Sequence, residues 1–436
     1  MSEIRSASTR LQGIIRRNRS SEPVGVYAVC SAHPRVLAAA AREAHENRSV
    51  LHVESTSSQV NQFGGYTGQN SRQFADSIHA VAREVGISGD RVLLGGDHLG
   101  PFPWRREPAA NAMEKACRLV RECVLAGYQK IHLDASMACA DDSKSGLDED
   151  TIADRAAALC ETAENTSREV PPSSQPLYVV GTEVPAPGGE AGGEESVVVT
   201  DADQVQSTLR IFEQAFHRRG LHAAWERVIG LVVQPGVEFG ENNVFDYDRE
   251  KAKPLSAALP EHPQLVYEAH STDYQREKAL KQMVEDHFAI LKVGPELTFA
   301  FREAVFALTA VEHEALGRKS VRLSNVREAL DAAMLRNPGY WQDYYHGDEE
   351  QIRLSRFYSY SDRCRYYWHD PTVNSEIELL IHNLSATPPL TLLSQYLPSE
   401  YEAIRRGILP ASPSDVIQYH IRVVLKKYAA ACGEIA

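Results

Sequence analysis

The sequence has no apolar run that approaches the roughly 18 to 20 residues needed to cross a bilayer. A membrane-spanning protein is therefore not expected. Positive charge is also scarce, because 46 lysines and arginines stand against 59 acidic residues and leave a formal net charge of −13. A surface of this sign repels phosphate backbones, which excludes nucleic acid as an expected partner. An anionic substrate would have to meet a local cluster of positive charge.

The seven cysteines include no C-x-x-C pair, so the usual ligand spacing of a structural zinc site is missing. An odd number of cysteines in a large chain indicates reduced thiols and a cytoplasmic location. Several arginines near the N-terminus are not followed by an apolar stretch. We therefore expect residues 1–23 to form an amphipathic helix that caps the fold, and not a secretory signal.

Eight short apolar segments, each followed by small and polar residues, organise the chain up to residue 293. They lie at residues 24–30, 50–54, 92–95, 130–134, 177–181, 228–233, 265–269 and 289–293. Apolar strands that alternate with helices indicate parallel pairing with both faces covered. A doubly wound open sheet would also fit. The count of eight and the polar residues after every strand favour an α/β fold of the (β/α)8 TIM-barrel type over residues 24–315.

Beyond the last of these segments the pattern changes to helical periodicity broken by prolines. Residues 316–436 are predicted to form a helical C-terminal extension that packs on the barrel. Within it, an aromatic and arginine-rich run contains Asp362, Arg363 and Arg365. These side chains could reach a substrate phosphate, although such a run more often serves packing or an interface.

The residues that follow the strands of a TIM barrel line one open face, where catalysis occurs. Polar residues follow all eight predicted strands, and a desolvated polar group without a partner costs roughly 2–7 kcal/mol. A functional face explains this better than packing does. The residues expected to contact substrate are Asn61, Gln62, His132, Gln234, Ser271, Asp273 and Lys292. Lys292 could instead act as a Schiff-base amine, which a neighbouring metal would make redundant.

His98, Glu183 and His270 follow the third, fifth and seventh predicted strands, whose side chains share a layer of the barrel. A lone histidine is most often a core residue, but three such ligands with one open position suit a catalytic divalent metal. Zinc is expected, with manganese or cobalt as alternatives. Asp134 is the substitute ligand, or else an acceptor that orients His98. Asp97 and Glu183 are the candidates for proton transfer, although Asp97 could simply cap the loop that follows.

Six longer motifs stand at the predicted strand ends. They read ESTSSQVNQFGGYTG (residues 54–68), LGGDHLGP (94–101), KIHLDASM (130–137), GTEVP (181–185), VQPGVEF (233–239) and YEAHSTDY (267–274). From about residue 24 to residue 398 the chain resembles the GatZ/KbaZ family, the second subunit of class II D-tagatose-1,6-bisphosphate aldolase. The resemblance implies a class II aldolase-like barrel in galactitol or tagatose metabolism. In those aldolases an Asp-His pair after the third strand supplies a proton-transfer carboxylate and a zinc ligand, which here would be Asp97 and His98.

Two functions are described for the family, and the resemblance leaves both open. One is a metal-dependent 4-epimerase of D-tagatose and D-fructose or their 6-phosphates, which cleaves and re-forms the C3–C4 bond; the polar residues after all eight strands favour it. The other is a non-catalytic accessory subunit that stabilises a separate class II aldolase catalytic chain. An older description as a tagatose-6-phosphate kinase is disfavoured because the sequence lacks a P-loop. A homo-oligomer is also expected.

Overall fold

Eight parallel strands close into a barrel in this computed structural model, which describes residues 6–143, 146–170, 175–182, 197–259 and 262–434. In chain order they are β1 (Val26–Val29), β2 (Leu51–Thr56), β3 (Val92–Leu99), β4 (Lys130–Leu133), β5 (Leu177–Val180), β6 (Val228–Val233), β9 (Val266–Ala269) and β10 (Ile290–Val293). Pairing of Val26 with Ile290 closes the ring between β1 and β10. All eight predicted strands and the TIM barrel are therefore confirmed, and the open sheet is excluded.

A two-stranded antiparallel hairpin that the sequence did not predict follows β6. It consists of β7 (Glu238–Phe239) and β8 (Val244–Phe245). Strands of two residues are too short to show an alternating pattern of apolar and polar side chains, so periodicity could not detect them.

The helices surround the barrel and continue past it. Their bounds are α1 (Ala7–Arg19), α2 (Pro34–Asn47), α3 (Ser71–Glu84), α4 (Ala109–Leu125), α5 (Glu149–Ser167), α6 (Ala202–Arg218), α7 (His222–Trp225), α8 (Arg249–Ala257), α9 (Glu277–Glu285), α10 (Pro295–Leu316), α11 (Val326–Arg336), α12 (Glu349–Tyr358), α13 (Pro371–Asn383), α14 (Leu390–Tyr396), α15 (Pro398–Arg405) and α16 (Pro413–Ala431). The local sequence determines where several of these helices begin. At α3, for example, Asn70 and Gln73 each bond the other's backbone N–H in a capping box. No helix among these residues is long and apolar enough to span a membrane.

Helix α1 lies at the N-terminal end of the barrel. Its buried Leu11 and Ile15 belong to a small apolar cluster with residues near the strand starts, such as Val26 and Ile290. Asn18 anchors the end of the helix, because its side-chain amide donates to the backbone oxygens of Val24 and Val284 at 2.9 and 2.8 Å. Apolar packing thus fills this end of the barrel, and polar chemistry is left to the opposite end. The domain boundaries at residues 23 and 315 stay predictions.

The C-terminal helices are packed into the barrel's outer layer. Helix α16 contacts α2, α9 and α10, so it fills the space between the first and last helices of the barrel. The Tyr428 hydroxyl at its end donates to the backbone oxygen of Thr272 at 2.7 Å, close to the end of β9. A short 3-10 turn, Arg363–Tyr367, packs against α10, α11 and α12. We use the term mouth for the open face at the carboxyl ends of the strands, and this turn forms part of its wall.

Candidate metal and active site

Strand β3 places two consecutive side chains at the mouth because its last residues do not form a regular strand. Neighbouring side chains on a regular strand point to opposite faces. Here the pairing of β3 with β4 shifts register between Gly96 and Leu99, and His98 has a left-handed backbone with φ of 47°. As a result Asp97 and His98 both line the mouth. Such a conformation costs a residue other than glycine about 1–2 kcal/mol, so the surrounding packing must hold it.

Two glycines make this bulge sterically feasible. A Cβ added to Gly96 would lie 2.4 Å from Leu99 Cδ1, and one added to Gly100 would lie 1.6 Å from the backbone oxygen of Asp134. Neither site has room for a side chain. The close approach at Gly100 brings the loop after β4 against the end of β3, and with it Asp134 against His98.

Three histidines meet at the centre of the mouth. The ring centroids of His98, His132 and His270 lie 4.9 to 5.2 Å apart. Together with Asp97 they form a buried group whose potential ligand atoms all lie within 4.8 Å of one another. We call these four residues the Asp-His cluster. His132, which the sequence suggested as a substrate contact, thus belongs to the candidate metal site.

Each histidine of the cluster has one ring nitrogen already engaged. His98 Nδ1 lies 2.7 Å from Asp134 Oδ2, and His270 Nε2 lies 3.0 Å from Glu268 Oε1. His132 Nδ1 lies 3.2 Å from the His98 backbone N–H and 3.1 Å from Asp97 Oδ1. The other nitrogen of each ring remains for a ligand. That of His132, Nε2, is buried with no hydrogen-bond partner among the described residues, and it can bind a metal in the tautomer whose Nδ1–H donates to Asp97.

Asp134 stands behind His98 and outside the Asp-His cluster. Its Oδ1 accepts hydrogen bonds from the backbone N–H and the hydroxyl of Ser136 at 3.0 and 2.6 Å. With Oδ2 on His98, both oxygens are occupied, so the geometry favours the orienting role over the ligand role. Glu183 lies outside the described residues, and its expected roles in metal binding and proton transfer stay predictions.

Beneath the cluster, four buried charges of alternating sign form what we call the charge ring. Its members, from β2, β4, β9 and β10, are Glu54, Lys130, Glu268 and Lys292. Lys130 Nζ lies 2.7 Å from both Glu54 Oε1 and Glu268 Oε2. Lys292 bonds Glu54 and lies 2.9 Å from Asp97 Oδ1 and 3.6 Å from Glu268 Oε1. The side chain of Lys292, predicted to contact substrate, is therefore surrounded by carboxylates.

The electrostatics of the site favour ionised carboxylates and a cation. Burial alone would raise the pKa of Glu54, but the two lysine ammonium groups hold it below its usual range, and the same balance lowers the pKa of Glu268. Burial lowers the pKa of His270 to about 4, which keeps the imidazole in the neutral form that binds metals. Burial also disfavours charge on His98, but the carboxylates of Asp97 and Asp134 outweigh it and raise the pKa of His98.

A cavity of about 420 Å³ opens above the cluster, and its size is typical of small-molecule sites. The predicted site residues that line it are Asn61, Asp97, His98, His270, Ser271, Asp273 and Lys292. Four arginines also line it: Arg105, Arg106, Arg363 and Arg365. They supply the local positive charge that an anionic substrate would require.

The chain matches the family model described as D-tagatose-1,6-bisphosphate aldolase subunit GatZ/KbaZ-like over residues 11–433. It belongs to the GatZ/KbaZ-like family. A solved structure described as a probable tagatose 6 phosphate kinase from Sinorhizobium meliloti 1021 is 40% identical and covers 94% of this chain and 100% of its own, with a TM-score of 0.85. Fructose-bisphosphate aldolase (Fba) from Campylobacter jejuni is 14% identical, with coverage of 87% and 93% and a TM-score of 0.44.

Two of the predicted substrate contacts lie elsewhere in this GatZ/KbaZ-like chain. Gln62 and Gln234 are not among the residues that line the cavity. The Gln62 amide donates to the backbone oxygen of Lys115 at 2.9 Å. Gln234 Oε1 accepts from the backbone N–H groups of Gly236 and Val237 at 2.8 and 3.0 Å. Both side chains thus shape loops.

The charge ring was missed because the sequence was searched after the strand ends and not within the strands. A signal was available, since side chains at positions i and i+2 of a strand share a face. Three strands carry polar pairs at that spacing: His52 and Glu54, Lys130 and His132, and Glu268 and His270. A charged residue two positions before a candidate ligand therefore predicts a polar layer beneath the site.

Proposed function

We propose that this GatZ/KbaZ-like protein is a metal-dependent 4-epimerase of a ketohexose or ketohexose 6-phosphate of the D-tagatose/D-fructose type. The observation that carries the proposal is the Asp-His cluster, buried at the base of a cavity that the substrate can enter. Three imidazoles beside a carboxylate are a typical ligand set for a catalytic divalent metal such as zinc.

The charge at the site fits a divalent cation. Among the described residues, four carboxylates whose pKa lies below the usual range lie near two lysines whose pKa is raised, a balance of −2 before the histidines are counted. The carboxylates are Glu54, Asp97, Asp134 and Glu268, and the lysines are Lys130 and Lys292. Buried charge without compensation is costly, so a cation among these groups would be stabilised. His98, His132 and His270 would hold it, with Asp97 beside them.

Asp97 is the proton-transfer group in this proposal. When bound, the metal supplies Lewis-acid polarisation of the substrate's C2 carbonyl and an adjacent hydroxyl. The Asp97 carboxylate, ionised and held at 2.9 Å from Lys292, takes the proton from the C4 hydroxyl while the C3–C4 bond breaks. The bonding electrons pass toward the C2 carbonyl, leaving an enediolate and an aldehyde. After the aldehyde presents its other face, the bond re-forms, Asp97 returns the proton, and C4 is inverted.

The cavity walls determine which sugars can bind. Asn61, Ser271 and Asp273 offer hydrogen-bonding groups near the cluster, while the arginines lie at the wall built partly by the C-terminal extension. These arginines favour the 6-phosphate over the free sugar, because a charge-assisted bond to a phosphate is roughly twice as strong as a neutral one.

The accessory-subunit function is the alternative, and the description of the matched family as an aldolase subunit favours it. In that case the protein would act on no sugar alone and would stabilise a separate class II aldolase catalytic chain. A kinase function has no support in the sequence, which lacks a P-loop.

The two functions are separated by one assay on the purified chain. The protein is stripped with a chelator, reloaded with zinc, manganese or cobalt, and mixed with D-fructose, D-tagatose and their 6-phosphates, while NMR follows the C4 epimers. Metal-dependent interconversion is expected. Asp97→Asn should lose about 10²–10⁴-fold in rate, whereas Asp76→Asn, on an exposed position of α3, should not. Turnover of none of the four sugars, with aldolase activity only after a catalytic chain is added, would contradict the epimerase.

A further inference from the structure

The charge ring is unusual because four ionised side chains sit inside the barrel away from water. Glu54, Lys130 and Glu268 have no exposed side-chain surface, and Lys292 is 5% exposed. The desolvation cost of buried ion pairs often exceeds their attraction, and apolar residues of similar volume are then at least as stable. Stability of the barrel alone therefore does not account for the ring.

The ring is connected to the Asp-His cluster at two points. Glu268 Oε1 lies 3.0 Å from His270 Nε2, and Lys292 Nζ lies 2.9 Å from Asp97 Oδ1. Within the part of the chain that the structure describes, Lys130 has ion-pair contacts only to the two glutamates of the ring. Two members of the ring thus hold residues of the cluster, and Lys130 holds the ring together.

We propose that the charge ring holds His270 in place as a metal ligand and Asp97 in place beside the metal, and that Lys292 is a positioning residue that acts through Asp97. This inference rests on the metal site of the proposed function, but it does not depend on which sugar is turned over. Partners that orient metal ligands commonly change metal affinity 10–100-fold when they are removed.

The contacts of Lys292 support this role. An ammonium group has three N–H donors, and three carboxylates surround this one: Glu54, Asp97 and Glu268. The carboxylates of Glu54 and Asp97 also lie within 4.8 Å of the Cys30 thiol, in an arrangement that could itself hold a cation. The Lys292 ammonium takes that place. Its charge and donors are thus directed to the ring and to Asp97.

The test compares two ring variants that change the charge in opposite directions. Glu54→Gln makes the site less negative, and Lys130→Met makes it more negative. If the ring acted only through its electrostatic field, Glu54→Gln would bind a cation more weakly and Lys130→Met would bind it more tightly. Positioning predicts that both bind zinc at least 10-fold more weakly, measured by competition with a chromogenic chelator.

A variant that keeps the charge of the ring unchanged makes the test decisive even if Lys130→Met does not fold. Glu54→Asp retains the charge but is one methylene shorter, so positioning predicts weaker zinc binding and a changed visible spectrum of the cobalt-loaded protein, whereas a field effect predicts neither. Lys115→Met, which breaks an ion pair with Glu107 outside the ring, is the matched control and should leave affinity unchanged. Folded Glu54→Asp with zinc affinity within twofold of wild type would overturn the inference.

Metal affinity separates this inference from the proposed function. Wild-type protein that binds zinc tightly but epimerises no sugar would contradict the epimerase and leave the ring test intact. Wild-type protein that binds no divalent metal would overturn the role of the ring.

Discussion

Gly100→Ala should damage the candidate metal site from a position that carries no functional group. The new Cβ would lie 1.6 Å from the backbone oxygen of Asp134. Since nonbonded atoms pack at about 3.5 Å, the two segments must separate by about 2 Å. The 2.7 Å hydrogen bond between Asp134 and His98 cannot survive a movement of that size.

The magnitude follows from two contributions. Overpacking of this kind costs about 1–3 kcal/mol, and a lost charge-assisted hydrogen bond about 1.5–3 kcal/mol, so the free energy of unfolding should fall by about 2.5–6 kcal/mol. The entropy of unfolding is about 2.1 cal/mol/K per residue. For 436 residues, about 1 °C of melting temperature therefore corresponds to each kcal/mol. The expected loss is about 2.5–6 °C.

Thermal unfolding followed by fluorescence, with and without chelator, measures this loss. Gly89→Ala is the matched control, because an added Cβ there has nothing within 4 Å. It should stay within about 0.5 kcal/mol of wild type. Zinc affinity of Gly100→Ala should fall about 10–100-fold, because His98 loses its orienting partner. A melting temperature for Gly100→Ala within 1 °C of that of the control would refute the reasoning.

Two other variants test features away from the cluster. Asp362→Asn keeps the left-handed backbone at that position, φ 44°, but removes the charge that faces buried Arg302. The free energy of unfolding should therefore fall by about 3–5 kcal/mol. Because the neighbouring Arg363 and Arg365 line the mouth, KM should rise more than kcat falls. A stability loss below 1 kcal/mol would contradict this. At His420, burial lowers the pKa but hydrogen bonds to Glu303 and Glu400 raise it to about 9. Because the folded pKa exceeds the unfolded one, the stabilisation is present below about pH 6.5 and is lost as pH rises through about 9. The advantage of wild type over His420→Gln, on the order of 2–3 kcal/mol, should therefore disappear over that range in denaturant titrations. A difference in the free energy of unfolding between the two proteins that stays constant with pH would contradict this prediction.

The barrel could be predicted from the sequence because its signal is repeated. Each strand is a continuous apolar run between helical segments, and a single misplaced boundary does not change the count. The hairpin after β6 could not be predicted in this way, because pairs such as Glu238–Phe239 are too short to have a period.

The candidate site was predictable to the level of its strand ends and no further. Asp97, His98 and His270 were identified because they follow strands, and the structure brings them together. The position of His132 in the cluster required the three-dimensional register of β4. Gln62 and Gln234 also follow strands but do not line the cavity, because a polar residue at a strand end can equally bond to the backbone of a loop. Side-chain direction, which sequence position does not specify, makes the difference.

Helix α16 has a consequence for the order in which the protein can be completed during synthesis. Tyr428 reaches back to Thr272, two residues beyond His270, and Lys427 pairs with Glu296, whose backbone N–H donates to Asp273. Every strand of the barrel leaves the ribosome well before these contacts can form. The strand ends that carry the Asp-His cluster are therefore synthesised before α16 can brace the segment after β9.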